Sequence, residues 1–254
     1  MAFAEGRDPA ARFKGLANLY AQSRPTYPRE AVDFVLATCH LGPGSVFVDV
    51  GCGTGISSRL FADRGLRVIG IEPNAEMRAR ASAERGSAVE YRDGRAESTG
   101  LPAASADAVL AAQAFHWFEP EAALREFHRI LRPQGWVVLF WNTRDREDPF
   151  TRGYSEIVDR LPDSKRSDAV DFEPTNLTRG GLFKDAGSRR FPNAQVLDED
   201  GLVTRALSSS YAPREKGSRD AFAEAMRGLF RTFVREGRVT LQYTTLVYLA
   251  QRKR

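Results

Sequence analysis

Cysteine, histidine and long apolar runs are all scarce in this chain of 254 residues. The two cysteines, Cys39 and Cys52, are too few for a disulfide framework, which predicts a reducing, cytoplasmic setting. With three histidines and no clustered cysteines, the spacing of a metal site is missing, so no metal is expected. No apolar run approaches a membrane span, and no charged-then-apolar leader opens the sequence. These absences argue against disulfide-stabilised, metal-bound and membrane-spanning classes.

The charge of the chain is small and unevenly distributed. The formal net charge is +4, but residues 1–150 contain 18 Lys and Arg against 19 Asp and Glu, which leaves 19 against 14 beyond them. The basic excess therefore lies in the C-terminal part, where it is scattered in pairs and not gathered in one stripe. We do not expect a nucleic-acid partner from this distribution. The hydrophobic content of 42% is sufficient for a sizeable core.

A short apolar run leads directly into three glycines at alternate positions. Residues 46–50 read VFVDV, which is typical of a buried strand. Gly51, Gly53 and Gly55 follow, with Cys52 between the first two. Glycine permits a tight turn and lets the backbone approach a ligand closely, because no Cβ intervenes. The next segment is predicted to be helical, so a helix N-terminus points free N–H groups at whatever occupies this loop.

A carboxylate ends the next predicted strand. Residues 66–72 form a second apolar run that ends in Glu72, 21 positions after Gly51. In nucleotide-binding α/β folds, an acidic side chain at this place accepts two hydrogen bonds from a ribose diol. Pro73 and Asn74 follow, and Asn74 is suited to cap the next helix. The two strands together predict an adenosine-like ligand.

The residue at position 56 distinguishes between classes of nucleotide-binding loop. The dinucleotide fingerprint needs a glycine where this chain has Ile56, and no Gly-Lys-Ser/Thr phosphate loop occurs. The spacing instead resembles motif I of the class I S-adenosylmethionine-dependent methyltransferases. The resemblance covers about residues 15–145 and continues, in the same order, through Gly94-Arg95-Ala96-Glu97, Ala106-Asp107-Ala108-Val109-Leu110, Ala112-Gln113-Ala114-Phe115-His116-Trp117-Phe118 and Ile130-Leu131-Arg132-Pro133-Gln134-Gly135. The string AQAFHWF, with the upstream Arg24-Pro25-Thr26-Tyr27-Pro28, looks most like the trans-aconitate methyltransferase-like (methyltransferase type 11) branch.

The resemblance implies a Rossmann-like α/β fold, in which a mostly parallel seven-stranded sheet has an antiparallel last strand and helices on both faces. Alternating strand and helix patterns up to about residue 142 favour the same arrangement. We expect one methyltransferase domain over residues 1–254. Its expected parts are a cofactor-binding core at 15–145, a helical insert with substrate-side elements at 146–235, with helices near 152–161, 178–184, 200–208 and 218–236, and a terminal β-hairpin formed by 188–198 and 238–250.

By resemblance, the cofactor is S-adenosyl-L-methionine and the product is S-adenosyl-L-homocysteine. The residues expected to bind it are Asp49, Gly51, Cys52, Gly53, Gly55, Glu72, Pro73, Ala96, Glu97, Gln113, Tyr20 and Arg24. Two roles fit Asp49, which either reaches the cofactor's amino group or only holds the loop. Glu97 either contacts adenine or faces solvent at a helix start, since many relatives place the acid one position earlier, where this chain has Arg95.

His116 is the candidate catalytic residue, as a general base for an acceptor that arrives protonated. A packed, unreactive ring is the alternative. The expected substrate-binding residues are Tyr27, Trp117, Trp141, Arg144 and Tyr211. Tyr20, Arg24 and Tyr27 resemble the family's N-terminal lid over the methionine end of the cofactor, and a structured turn into the first helix fits them as well.

Three functions stay open at this point. The first is O-methylation of an organic acid or secondary metabolite by in-line transfer, with a small-molecule acceptor as partner. The second is methylation of RNA or protein through the basic C-terminal part, against which the missing Asn/Asp-Pro-Pro-Tyr/Phe motif counts. The third is cofactor binding without catalysis. We expect a monomer or a homodimer.

Overall fold

The computed structural model describes residues 23–84, 86, 88–161, 172–209 and 211–254. Helices and strands alternate along most of this part of the chain. In chain order they are α1 (Arg29–Thr38), β1 (Val46–Val50), α2 (Ile56–Ala62), β2 (Arg67–Ile71), α3 (Ala75–Ala83), β3 (Val89–Arg92), β4 (Ala106–Ala112), a 3-10 turn (Phe115–Trp117), α4 (Pro120–Ile130), β5 (Leu131–Arg144), α5 (Pro149–Asp159), α6 (Thr175–Thr178), β6 (Phe183–Leu197), α7 (Glu199–Leu207), α8 (Lys216–Phe233) and β7 (Val239–Arg252).

The described strands form one seven-stranded sheet in the order β3-β2-β1-β4-β5-β7-β6. Neighbouring strands from β3 to β5 are parallel, while β7 runs antiparallel to both β5 and β6. The expected α/β fold with an antiparallel last strand is confirmed. The C-terminal ends of β2, β1, β4 and β5 therefore meet at one edge of the sheet, together with the N-terminal half of β7.

Apolar side chains cover both faces of the sheet, which explains why the central strands read as almost continuous apolar runs. One cluster includes Val48, Ile69 and Val109 and packs against α4. The other includes Phe47 and Leu110 and packs against α1 and α2. Alternate residues of β1 and β4 thus pack into the clusters on opposite faces of the sheet, because successive side chains of a strand point to opposite faces. Rings of Phe47 and Phe61, 4.1 Å apart between centroids, join the sheet to α2.

A third apolar cluster joins the C-terminal helices to the sheet. Tyr154 of α5, Leu202 of α7 and Met226 of α8 are fully buried there against Leu241 of β7. β6 and β7 pair in the sheet, but they lie far apart in sequence because α7 and α8 come between them. This helical layer places residues of α7 beside the edge of the sheet where β7 begins.

The C-terminal part differs from the sequence prediction in two places. A helix predicted at 178–184 is absent: α6 ends at Thr178, and the chain enters β6 at Phe183 after two glycines that disfavour helix. The expected terminal hairpin of 188–198 and 238–250 is an antiparallel pair of longer strands, 183–197 and 239–252, joined through two helices and not by a tight turn. The division into a core at 15–145 and a helical insert at 146–235 stays a prediction, and β6 lies within that insert.

Among the residues that the structure describes, every helix is too short or too polar to cross a membrane. The same residues contain no group of three or more His, Cys, Asp or Glu side chains placed to hold a metal ion.

Candidate functional site

A cleft opens at the C-terminal edge of the parallel strands, where ligands bind in sheets of this kind. Its empty volume, including the part open to solvent, is about 1260 Å³. The residues that line it are Arg24, Pro25, Tyr27, Gly51, Cys52, Gly53, Thr54, Ile56, Ser57, Glu72, Pro73, Met77, Gly94, Arg95, Ala96, Glu97, Ala112, Gln113, Ala114, Trp117, Phe118, Asn142, Arg205 and Tyr243.

The glycine loop follows β1 in a left-handed conformation. Gly51, Gly53 and Gly55 have φ of +68°, +55° and +77°, which side chains with a Cβ rarely adopt. Gly51 also packs closely on the loop after β4, because an added Cβ would lie 2.8 Å from the Cβ of Ala114. Gly51 and Gly53 line the cleft, whereas Gly55 turns toward Tyr91 behind the loop.

Glu72 connects the glycine loop to the start of α3. Its Oε2 accepts a hydrogen bond from the N–H of Gly53, and its Oε1 accepts one from the N–H of Asn74, both at 2.9 Å. Burial raises the pKa of the Glu72 carboxyl, and these two backbone hydrogen bonds oppose that rise. A carboxylate offers about four acceptor positions. Glu72 can therefore hold the loop and still accept hydrogen bonds from a ligand in the cleft.

Glu126 of α4 holds the segment that follows β3. Oε1 of Glu126 accepts hydrogen bonds from the Thr99 N–H at 2.9 Å and the Thr99 hydroxyl at 2.6 Å. Arg129 binds the same carboxylate and donates to the carbonyl of Leu101 at 2.7 Å. Burial alone would raise the pKa of Glu126, but the hydrogen bonds from Arg129 and Thr99 lower it to about 2. This network fixes the backbone that carries Ala96 and Glu97 into the cleft.

Replacing Glu126 by glutamine should destabilise the fold at pH 7 by about 1–3 kcal/mol, since a carboxylate with a lowered pKa contributes free energy of folding. That contribution is complete above pH 4.5 and is lost as the pH falls toward 2. The stability difference between wild type and Glu126→Gln in urea unfolding should accordingly be smaller at pH 3 than at pH 7. Glu121→Gln on the exposed side of α4 is the matched control and should change little. An equal loss for both variants would contradict this account.

Ala96 is buried in the cleft wall, and Glu97 is half-buried beside it. Oε1 of Glu97 accepts a hydrogen bond from the N–H of Glu119 at 2.9 Å, so the side chain also supports the start of α4. The adenine contact and the support of α4 both fit this geometry.

Gln113 follows β4 with φ of +53°, an uncommon conformation for a residue with a Cβ. Its Nε2 donates to the carbonyl of Asn142 at 3.1 Å. Nδ2 of Asn142 in turn donates to the carbonyl of Thr26 at 3.1 Å, as does Nδ2 of Asn193 at 2.9 Å. Through these bonds the segment that carries Arg24 is fastened across the ends of β5 and β6.

Tyr27 is buried, with its ring 5.1 Å from that of Phe140 between centroids. Arg24 is half-buried, and its Nη2 lies 3.5 Å from the carbonyl of Ser208. Both residues line the cleft as part of a structured turn into α1. Tyr20 lies outside the described residues, so the expected lid is described only from residue 23 onward.

Asp49 lies behind the loop and not in the cleft wall. Its Oδ2 accepts hydrogen bonds from the hydroxyls of Ser57 and Ser58, each at 2.6 Å, whereas its Oδ1 is buried and has no partner among the described residues. Burial raises the pKa of Asp49 to about 6 in spite of the two hydroxyls. The carboxylate thus ties β1 to the first turn of α2, with one oxygen left for a further donor.

Asp49→Asn should stabilise the protein by about 1–3 kcal/mol at pH 8, because a buried carboxyl with a raised pKa costs free energy once it ionises. This cost in folding free energy is absent below pH 3.8, grows as the pH rises, and is complete above pH 6. Unfolding in urea at pH 4 and pH 8 should therefore show the variant gaining only at the higher pH. Asp220→Asn, on the exposed face of α8, is the control. Loss of stability at pH 8 would contradict this role of burial.

His116 belongs to the 3-10 turn after β4, and the centroid of its ring lies 4.9 Å from that of Trp117. Its Nδ1 is buried and has no hydrogen-bond partner within the described residues. Burial, together with the positive charge of Arg24, lowers the pKa of His116 to about 4. The imidazole is consequently neutral at pH 7 and a weak base. Trp117 lines the cleft, while His116 is not among the described residues of its wall.

Three predicted substrate residues lie outside the cleft wall. Trp141 is buried in the core, with its ring 5.0 Å from that of Phe172. Its neighbour Asn142, on the opposite face of β5, lines the cleft in its place. The Arg144 guanidinium lies 5.6 Å from the centre of the Tyr154 ring. Tyr211 is buried near Arg144, and the positive charge of Arg144 helps to lower the pKa of its hydroxyl.

Arg205 and Tyr243 line the cleft and are not among the residues expected from the sequence. The sequence pattern marks both positions. Arg205 stands on the apolar stripe of α7 with Leu202 and Ala206, where a charged residue is unusual. Tyr243 occupies an inward position in the alternating pattern of β7.

Comparison with known proteins gives consistent matches. A family model for a methyltransferase domain matches residues 48–139. An uncharacterized methyltransferase of Mycobacterium bovis is 37% identical over 168 residues, which are 66% of this chain and 67% of the relative. An uncharacterized methyltransferase-like protein of Schizosaccharomyces pombe is 34% identical over 196 residues, 76% of this chain and 75% of the relative.

Solved structures also resemble this fold. Phosphoethanolamine N-methyltransferase 2 of Haemonchus contortus, in complex with phosphomonomethylethanolamine and S-adenosylhomocysteine, has a TM-score of 0.60 at 13% identity and covers 99% of this chain and 62% of its own. A structure from Anaeromyxobacter dehalogenans described as a type II methyltransferase has a TM-score of 0.61 at 22% identity, with 91% and 97% covered. At these identities the likeness shows the fold alone. The trans-aconitate methyltransferase-like branch stays a prediction.

Proposed function

This chain belongs to the class I S-adenosylmethionine-dependent methyltransferase family, and on that premise we propose that it methylates an oxygen atom of a small organic acid. The observation that carries the proposal is the polarity of the cleft. Its carboxylates in the described chain, Glu72 and Glu97, lie after β2 and β3, where Arg95 also lines the wall. Arg24, Arg205 and Tyr243 lie at the opposite end, where no carboxylate of the described residues lines the cleft.

The residues at the acidic end fit the cofactor by their chemistry. Glu72 has acceptor capacity for ribose hydroxyls beyond its two backbone bonds. The open space over Gly53, where an added Cβ meets no atom within 4 Å, leaves room for a ligand against the backbone. The backbone of Ala96 and the carboxylate of Glu97 would hold adenine. Gln113 and Arg24, which lie farther along the cleft, would hold the methionine portion. Cys52 and Pro73 line the same wall.

When bound, S-adenosylmethionine supplies a sulfonium methyl, so a C–O bond to the acceptor forms as the C–S bond breaks and neutral S-adenosylhomocysteine leaves. The protein's task is then to align the acceptor and to exclude water. Trp117, Phe118 and Tyr27 contribute aromatic side chains to the cleft wall, and these would help to exclude water from the reacting end.

A carboxylate oxygen arrives deprotonated and needs no general base. This suits the site, because the His116 pKa of about 4 makes its neutral imidazole a weak base at pH 7. We therefore propose that, when the acceptor is an acid, the neutral His116 ring acts only by supporting Trp117, its neighbour in the cleft wall. An alcohol or phenol acceptor would instead require it as the base.

The proposal is tested by a methyl-transfer screen over carboxylic acids, phenols and RNA, measured as released S-adenosylhomocysteine. We expect release with carboxylic acids, and we expect His116→Gln to retain most of that activity. Transfer confined to phenols and abolished by His116→Gln would overturn the acid proposal. Transfer to RNA with a steep salt dependence would overturn the small-molecule proposal as well.

A further inference from the structure

Arg205 is a buried guanidinium without a carboxylate partner in the described chain. It is 6% exposed, and its Nη1 donates to the hydroxyl of Ser209 at 3.1 Å. Its Nε is buried and has no hydrogen-bond partner among the described residues. Arginine stays protonated in proteins, so burial of this side chain removes a full positive charge from water. Such a charge is costly unless an anion is present to pair with it.

Tyrosine hydroxyls from separate elements surround this guanidinium. Tyr154 of α5 and Tyr243 of β7 are 0% and 4% exposed. The Tyr154 hydroxyl has no hydrogen-bond partner within the described residues, whereas the Tyr243 hydroxyl lies within hydrogen-bonding reach of the Arg205 guanidinium. Tyr211, also buried, lies in the same charged environment. Hydroxyl groups can donate to an anion but cannot neutralise a cation. The cluster therefore supplies donors in excess of acceptors.

The field in this cluster is positive. Burial alone would raise the pKa of Tyr211, but the charges of Arg205, Arg144 and Arg24 lower it below its ordinary value. The acidic residues of the cleft, Glu72 and Glu97, belong to its other end. A negatively charged group is thus favoured here both by the hydrogen-bond donors and by the charges.

The cluster opens into the cleft beyond the expected position of the cofactor. Glu72 follows β2 and Tyr243 lies in β7, four strand positions away in the sheet. At a strand spacing of about 4.8 Å, this places them on the order of 19 Å apart along the sheet. Asn142 of β5 lies between them in the cleft wall. A ligand at Arg205 is therefore on the acceptor side of Gln113.

We propose that Arg205 and the hydroxyl of Tyr243 bind a carboxylate of the methyl acceptor, and this assignment rests on the proposed function. The carboxylate pairs with the planar guanidinium and accepts a hydrogen bond from Tyr243. A carboxylate paired with a guanidinium is a weaker nucleophile and is fixed at this end of the cleft, so it serves as an anchor, and an oxygen of a different carboxyl or hydroxyl group of the acceptor receives the methyl group. The acceptor class is thus a dicarboxylic or hydroxycarboxylic acid.

The binding test uses the full chain saturated with S-adenosylhomocysteine and titrated with succinate, citrate or inorganic phosphate. We expect the carboxylates to bind, and we expect Arg205→Gln to weaken that binding by about 10- to 100-fold. Tyr243→Phe should weaken it less, whereas Tyr154→Phe, in the same cluster but outside the described cleft wall, should leave it unchanged. Arg205→Lys keeps the charge without the planar fork and should recover only part of the affinity.

The outcomes separate the two proposals. If wild type fails to bind S-adenosylhomocysteine, the proposed function itself is wrong. If it binds S-adenosylhomocysteine but Arg205→Gln, with an unchanged melting temperature, binds carboxylates as wild type does, only the anchor is wrong. Phosphate binding tighter than carboxylate binding overturns the acceptor class. In methyl transfer, succinate should be a better acceptor than its monoamide, and Arg205→Gln should raise the KM for succinate while the Kd for S-adenosylmethionine stays the same.

Discussion

Glu72→Ala is expected to weaken S-adenosylmethionine binding by about 100-fold or more, because it removes a half-buried carboxylate that would accept two hydrogen bonds from the ribose. The same change releases the N–H groups of Gly53 and Asn74, which now bind Glu72 at 2.9 Å. The loop should therefore lose order together with affinity. Isothermal titration calorimetry with S-adenosylmethionine measures the effect.

Two further variants separate these causes. Glu72→Gln keeps one carbonyl oxygen and the shape of the side chain, so it should retain part of the loop contacts and lose most of the ribose pairing. Glu90→Ala removes an exposed carboxylate from β3 and serves as the matched control, with unchanged affinity expected. Wild-type affinity in Glu72→Ala would remove Glu72 from the cofactor site.

Gly51→Ala is expected to destabilise the fold by about 2–5 kcal/mol, the largest stability effect that we predict. Left-handed backbone costs about 1–2 kcal/mol for a residue with a Cβ. Crowding adds about 1–3 kcal/mol, because the new methyl group would lie 2.8 Å from the Ala114 Cβ and 3.1 Å from the Phe118 ring. Urea unfolding measures the loss.

Gly53→Ala is the matched variant in the same loop. Gly53 has a similar φ of +55°, but its added methyl meets no protein atom within 4 Å. We expect a stability loss of only about 1–2 kcal/mol. Since Gly53 lines the cleft, the methyl group should instead weaken S-adenosylmethionine binding by about tenfold. Equal destabilisation by the two variants would show that packing on Ala114 and Phe118 is unimportant.

The half of the site that we propose to bind the cofactor is predictable from sequence because its residues lie in two short consecutive segments. The strand at 46–50, the glycines after it and Glu72 after the next strand all belong to one strand-loop-helix-strand unit. Local spacing fixes their relation, so the predicted neighbours are neighbours in the structure. Glu72 contacts Gly53 directly.

The half that we propose to bind the acceptor could not be predicted in this way, since it combines residues from distant parts of the chain. Arg205 of α7 and Tyr243 of β7 meet only after the helical layer packs on the sheet. Trp141 shows a second reason why this half is hard to predict. Neighbouring residues of a strand point to opposite faces, so Trp141 packs in the core while Asn142 lines the cleft. The helix predicted at 178–184 is absent because Gly180 and Gly181 disfavour helix and Phe183 pairs with Arg252 of β7, a partner that lies far away in the sequence.

The most direct test of the central claim is a crystal structure of the protein with S-adenosylhomocysteine. We expect the ribose hydroxyls on Glu72, the adenine beside Ala96 and Glu97, and the homocysteine portion pointing along the cleft toward Gln113 and Arg24. A molecule bound elsewhere, or a cleft that stays empty at saturating S-adenosylhomocysteine, would contradict it.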